Sequence, residues 1–307
     1  MTGLSSDLRP GLFAQPREPA RRCSIPSGKA PSDQPRSPTW RTCSTSLACS
    51  SCTETATTSS GALLNESLAP RSPDFLLDLA LPLLTPESKL LDIGCRDARH
   101  LIPLVSRSGC TGIGIDPVER NIDRARAAIA AANLDRRIEV RCGVMEQIEE
   151  ADDSVDVVWC RDVLEVIPDL HAGLAEVARV LKLGGAAVIY SVFATPRLEP
   201  REAAALQALG NVPENLDRAR VEGAFEHAGF HIERLEEIGS EFREYDEERT
   251  RPVSESLLRL ARLRRRRDEV VGRFGRDKYE LWEASLQWLA YLLLGKFEPV
   301  AYVLRSS

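Results

Sequence analysis

Leu91-Asp92-Ile93-Gly94-Cys95-Arg96-Asp97-Ala98-Arg99, followed by Thr111-Gly-Ile-Gly-Ile-Asp116, is the stretch on which the fold turns. The first apolar run ends in Asp-Ile-Gly, which predicts a buried strand followed by a sharp turn where backbone can approach a ligand closely. The second run ends at Asp116, 22 residues after Gly94. A carboxylate at the end of a second strand can accept hydrogen bonds from two ribose hydroxyls. Taken alone, the pair predicts a ribose-bearing cofactor at the carboxyl edge of a sheet. NAD and S-adenosylmethionine both qualify.

Working outward, the same alternation continues. β-like runs fall at Lys89–Gly94, Thr111–Asp116, Arg137–Arg141, Val155–Cys160 and Ala186–Tyr190, with a sixth over His231–Glu237 and a last over Pro299–Leu304. Between them lie stretches rich in Ala, Leu, Glu and Arg, notably Val118–Ala132, Leu170–Leu181 and Asp217–Ala228, and a helix start at Ser72-Pro73-Asp74. Strands alternating with helices predict an α/β, doubly wound, Rossmann-like parallel sheet. Two amphipathic helices, about Val253–Phe274 and Asp277–Leu294, form a helical insertion before the last strand. The expected organisation is a Ser/Thr/Pro/Arg-rich disordered tail over 1–60, a core over 61–249, a helical cap over 250–294, and a last core strand over 295–307.

Composition narrows the function classes. The chain of 307 residues carries a formal charge of −6. Its first 60 residues hold seven basic and four acidic side chains, leaving 33 basic against 42 acidic, or −9, for the body. An acidic body argues against nucleic acid as partner, because backbone binding needs clustered Lys and Arg. Arg264–Arg267 lie between apolar residues at helical spacing and read as a solvated helix face. No apolar run approaches the ~20 residues of a membrane span. Asp7, Glu18, Asp33 and Glu54 weaken a transit-peptide reading of the tail. The eight cysteines make no disulfide framework, Cys49 and Cys52 have no second pair for zinc, and His100, His171, His227 and His231 show no metal spacing; a reduced, cytoplasmic setting is expected.

The glycines choose between the cofactors. A dinucleotide needs three glycines at this turn to admit its pyrophosphate. Here Arg96 holds the second position and no third glycine follows, whereas S-adenosylmethionine, lacking phosphate, tolerates the looser turn. Leu-Leu-Asp-Ile-Gly-Cys, Gly-Ile-Gly-Ile-Asp, Val-Asp-Val-Val-Trp-Cys-Arg-Asp-Val-Leu-Glu and Ala-Arg-Val-Leu-Lys-Leu-Gly-Gly together resemble the ordered motifs of class I S-adenosylmethionine-dependent methyltransferases, in the small-molecule, quinone-biosynthesis-like, type 11 branch. The resemblance covers about residues 85–193, and His227-Ala-Gly-Phe230 extends it.

That resemblance implies a seven-stranded sheet whose last strand is antiparallel, and methyl transfer to a small-molecule acceptor. It also implies roles. Asp92, Gly94 and Cys95 line the methionine end of the cofactor; Asp116 holds the ribose with Pro117 against the adenine; Val144 and Met145 meet the adenine edge; Cys160 and Arg161 face the methionyl portion and the acceptor. Family members usually carry glycine where Arg96 and Ala98 stand, and often an acid where Val144 stands. A cation beside a sulfonium is unfavourable unless the arginine stem carries its charge into solvent.

Structural readings stand beside these. Asp116 before Pro117 can be a helix N-cap, Cys160 a small buried apolar residue, and Asp92 a turn cap. Asp162, Glu165 and Tyr190 are the candidates for a base. Trp282, Trp288, Tyr291 and Phe297 can line an acceptor pocket or pack the insertion. A nonenzymatic cofactor-binding module and a nucleotide-dependent oxidoreductase are the alternative functions.

Overall fold

The computed structural model describes residues 63–306. The chain divides between Asn65 and Glu66, and the second unit, compact by itself, holds the sheet and the helical insertion together. The expectations for residues 1–60, and for Cys23, Cys43, Cys49 and Cys52, lie outside the described residues.

In chain order the second unit contains α1 (Phe75–Ala80), β1 (Lys89–Ile93), α2 (Leu101–Ser108), β2 (Thr111–Asp116), α3 (Glu119–Ala131), β3 (Ile138–Cys142) and β4 (Val155–Arg161). There follow α4 (Leu170–Val180), β5 (Leu181–Ala194), α5 (Pro200–Leu206), α6 (Arg218–His227) and β6 (Phe230–Glu237). Four helices come next: α7 (Glu241–Thr250), α8 (Pro252–Arg265), α9 (Arg267–Phe274) and α10 (Arg276–Leu293), before β7 (Phe297–Ser306) closes the sheet.

The seven strands are ordered β3-β2-β1-β4-β5-β7-β6. Strands β1 to β5 pair in parallel, and β7 runs antiparallel between β5 and β6. The doubly wound sheet with an antiparallel last strand is the one expected from the sequence. Period-2 alternation sorts its side chains: Leu90, Val157, Trp159, Val188 and Tyr190 pack toward α1, α2 and α3. Leu91, Ile93, Val158, Cys160 and Ile189 pack toward α4 and α6. Strand order reverses between β1 and β4, so the crevice beyond their carboxyl ends is where an open α/β sheet binds ligands.

Local chemistry explains the boundaries. Asp169 accepts from the Ala172 amide to start α4, and Asp217 from the Ala219 amide to start α6. Pro299 sits within β7 but one residue beyond its last pairing with β6, so its missing amide interrupts no ladder on that side.

The insertion departs from the two helices expected. A single helix over Val253–Phe274 is broken at Arg266 (φ −114°, ψ 23°) into α8 and α9. Arg264 and Arg265 end α8, where cations suit the carbonyl end of a helix, while Asp268 and Glu269 open α9, where acids suit the amide end. The charge sequence thus favours a stop and a restart.

Candidate cofactor and acceptor site

The turn after β1 is pinned to the end of β2: the amides of Gly94 (2.8 Å) and Cys95 (3.0 Å) both donate to the Ile115 carbonyl. Gly94 adopts φ 73°, and a Cβ there would stand 2.5 Å from Val163 Cγ2, in the loop after β4. Only glycine fits. Arg96 (φ 50°) and Ala98 (φ 59°) are also left-handed, each at a cost of about 1–2 kcal/mol relative to glycine. Arg96 is exposed, so its charge lies in solvent; Ala98 is fully buried.

Asp116 is buried at the end of β2 and already well engaged. Its Oδ2 accepts from the Arg96 amide (3.1 Å), and its Oδ1 from the Val118 amide (2.9 Å) and Asn121 Nδ2 (3.0 Å). Val118, not Asp116, is the N-cap residue of α3, so the carboxylate closes the connecting turn rather than the helix. With about four acceptor positions on a carboxylate, these three donors leave room for one more.

Asp92 is the opposite case. It is buried on β1, and its Oδ2 has no hydrogen-bond partner among the described residues, so it caps no turn through that atom. Burial, and then the charge of Asp116, hold its carboxyl well above the usual carboxylate range. Burial and the same two carboxylates push the Cys95 thiol up. An unpartnered carboxylate oxygen beside a glycine turn fits the ammonium-bearing end of an amino-acid-like cofactor, since a buried acceptor left unpaired is costly.

The remaining candidates divide. Pro117 and Val144 are exposed, and the Gly143 amide donates to the Asp116 carbonyl (3.3 Å), bringing Val144 beside the end of β2. Met145 and Cys160 turn their side chains into the core, Met145 against Gly173 of α4. Cys160 pairs in register with Ile93, which sets Arg161 beside the Gly94 turn. Arg161 Nη1 lies 2.9 Å from His100 Nε2, its Nε 3.3 Å from Asp162 Oδ2, and its guanidinium 5.3 Å over the Tyr190 ring. Burial, then Arg161, then Arg99 push the His100 pKa down to about 3, so its neutral ring accepts from Arg161.

Of the candidate bases, Glu165 is tied into β5: its Oε1 accepts from the Ser191 hydroxyl (2.8 Å) and the Val192 amide (2.7 Å), while Oε2 is buried without a partner among the described residues. Burial, then the Asp162 charge, raise it to about 7. Tyr190 stacks on Phe242 of α7 at 5.9 Å, and burial raises its hydroxyl pKa. Asp162 is half-exposed at φ 54°.

Sequence reasoning missed Asn121, His100, Trp159 and Ser191. His100 stacks on Trp159 at 5.6 Å, and the Trp159 Nε1 donor is buried without a partner. Asn121 carried a usable signal, lying five residues after Asp116 in the first turn of a helix that begins beside it; the others are joined only by strand register.

Cavities lie at several places around the sheet and the insertion. One of about 790 Å³ lies among Ala194, α5 and α6, and one of about 330 Å³ between α8 and α10; neither includes a residue expected to bind the cofactor. The third, about 390 Å³, is walled by α1, α2 and Arg161. Of the insertion aromatics, Trp282 lines the second cavity, whereas Trp288 packs on Phe297 at 4.6 Å and Tyr291 donates to Gln287 Oε1 (2.6 Å). Among the described residues Cys95, Cys110, Cys142 and Cys160 are free thiols, no group of His, Cys, Asp or Glu gathers as metal ligands, and no helix is long and apolar enough to cross a membrane.

Residues 91–189 match a family described as a methyltransferase domain. The human mitochondrial ubiquinone biosynthesis O-methyltransferase is 39% identical over 106 residues, which cover 34% of this chain and 28% of that protein. The match spans about three tenths of the length of the first curated relatives. A geranyl diphosphate methyltransferase solved in complex with S-adenosylmethionine aligns with TM-score 0.58 at 19% identity, over 76% of this chain and 84% of that one. The [4+2]-cyclase SpnF aligns with TM-score 0.60 at 18% identity, over 78% and 84%. The fold is therefore that of the class I methyltransferases, on which at least one other chemistry has also been built.

Proposed function

We propose that this chain, with its methyltransferase domain at residues 91–189, is a class I S-adenosylmethionine-dependent methyltransferase acting on a small molecule. The observation that carries the reading is the carboxylate pair at the crevice, Asp92 with an unpartnered oxygen and Asp116 with one acceptor position left, on either side of the Gly94 turn. When bound, the cofactor supplies a methyl group on a sulfonium for in-line displacement.

The chain's own residues account for the rest. Asp92 takes the ammonium of the methionyl end, Gly94 and Cys95 offer bare backbone beside it, and Asp116 accepts from the ribose. Pro117 and Val144 form the outer margin against the adenine, with Met145 supporting from the core. Cys160 and Arg161 stand on the acceptor side. Holding nucleophile and methyl about 3–3.5 Å apart in line supplies much of the rate. Cover over the acceptor begins with α7, through Phe242 on Tyr190, and we assign 250–294 as the cap that buttresses it.

An acidic body and the absence of a membrane-crossing helix among the described residues support a cytoplasmic, small-molecule role without nucleic acid. Calorimetric titration with S-adenosylmethionine, its demethylated product and NAD tests the cofactor. Binding of the first two and not the third is expected; preference for NAD overturns the reading.

A further inference from the structure

The 390 Å³ cavity between α1 and α2 is walled by Arg99, His100, Arg107 and Arg161, with Leu77 and the single carboxylate Asp74. It includes Arg161, whose register places it beside the turn where the transferred methyl is expected.

The arginines are not equivalent. Arg99 is paired with Asp97 at 2.8 Å and Arg107 with Asp78 at 3.4 Å, both in half-exposed pairs that water screens. Arg161 is the least exposed of the three, its side chain 16% exposed, and its nearest carboxylate is the half-exposed Asp162 at 3.3 Å, with Asp246 of α7 acting on it as well. A half-withdrawn guanidinium that faces a cavity shared with two further arginines has room for an anion. His100 reports the same field: Arg161 and Arg99 both act against its protonation. With its Nε2 engaged by Arg161, the neutral ring keeps Nδ1–H as a further donor.

We propose that this cavity holds an anionic group of the methyl acceptor, a carboxylate or a phosphate, against the Arg161 guanidinium. The acceptor is then a small acid whose nucleophile lies toward the Gly94 turn. The proposal rests on the methyl-transfer reading for what the anion belongs to, though not for whether the anion binds.

The test is titration of the full chain, in phosphate-free buffer with and without S-adenosylhomocysteine, by benzoate and separately by phenyl phosphate. Saturable binding of either is expected, and which one binds separates the carboxylate from the phosphate source. Arg161→Gln should weaken that binding by about tenfold or more. On the wild-type chain, the His100 ring resonances should shift with the same saturation curve, a readout independent of any variant's folding. No saturable binding of either anion up to tens of millimolar, or equal binding by a folded Arg161→Gln chain, overturns the proposal. Failure of S-adenosylhomocysteine to bind while the anions do overturns the methyl-transfer reading instead.

Discussion

Replacing Glu165 with Gln isolates one buried charge beneath the acceptor edge. Glu165 is 4% exposed; its Oε1 accepts from the Ser191 hydroxyl and the Val192 amide, and its Oε2 meets no donor. The amide keeps the accepting oxygen and removes the charge. In the wild-type chain burial and Asp162 raise the carboxyl from the ordinary 4.5 to about 7. Between those values the folded protein holds a proton that the unfolded chain has released. The stabilisation is therefore fully present below about pH 4.5 and is lost as pH rises through about 7. Each pH unit in that window removes at most ~1.4 kcal/mol, so the whole effect is about 3 kcal/mol. Urea unfolding of both proteins at about pH 5 and about pH 8 measures it, other titrating groups cancelling in the comparison. Wild type should lose about 2–3 kcal/mol more than Glu165→Gln across that range. Parallel pH profiles, or a wild-type stability that rises relative to the variant, refute the reasoning.

Other outcomes follow from the same geometry. Arg96→Gly relieves a left-handed arginine in an exposed turn, offset by the freer unfolded chain, and should stabilise by about 0.5–1 kcal/mol in the same unfolding assay. Because Asp92 is held protonated above the usual carboxylate range, ammonium binding there should release a proton; calorimetry in buffers of differing ionisation enthalpy should detect the release in wild type and lose it in Asp92→Asn, with affinity rising as pH rises. Trp288→Ala removes the ring packed 4.6 Å from Phe297 and should cost about 3 kcal/mol of stability, while a folded variant keeps its cofactor affinity.

Much of the fold was legible because strand ends carry their own signals. Thr111–Asp116 coincides with β2, and the other runs differ from their strands mainly in length, β5 beginning at Leu181 and running through Gly184 and Gly185 before the Ala186–Tyr190 run. Helices α2, α5 and α7 were not read. In α2 Pro103 interrupts an eight-residue pattern, and α7 buries Phe242 alone among charges, so neither shows a sustained period. The start of α5 was there to be seen, as the capping box of Glu199 and Glu202 around Pro200. In the site, Asp92, Gly94 and Asp116 were legible because strand-end residues share one edge whatever the sheet's details. The His100–Arg161 contact and the Glu165–Ser191 bond join residues 61 and 26 positions apart and depend on register, which periodicity does not encode.

The most direct test of the central claim is calorimetric titration of S-adenosylmethionine into the wild-type chain and into Asp116→Asn. Asparagine is preferable to alanine here because its one oxygen can still accept from the Val118 amide and Asn121, although the bond from the Arg96 amide to the other oxygen is lost with the charge. The account predicts saturable binding by wild type, and in a variant that stays folded an affinity about 10–100-fold weaker, as the ribose loses a charged acceptor. Equal affinity in a folded Asp116→Asn chain, or no binding by wild type at all, would contradict it.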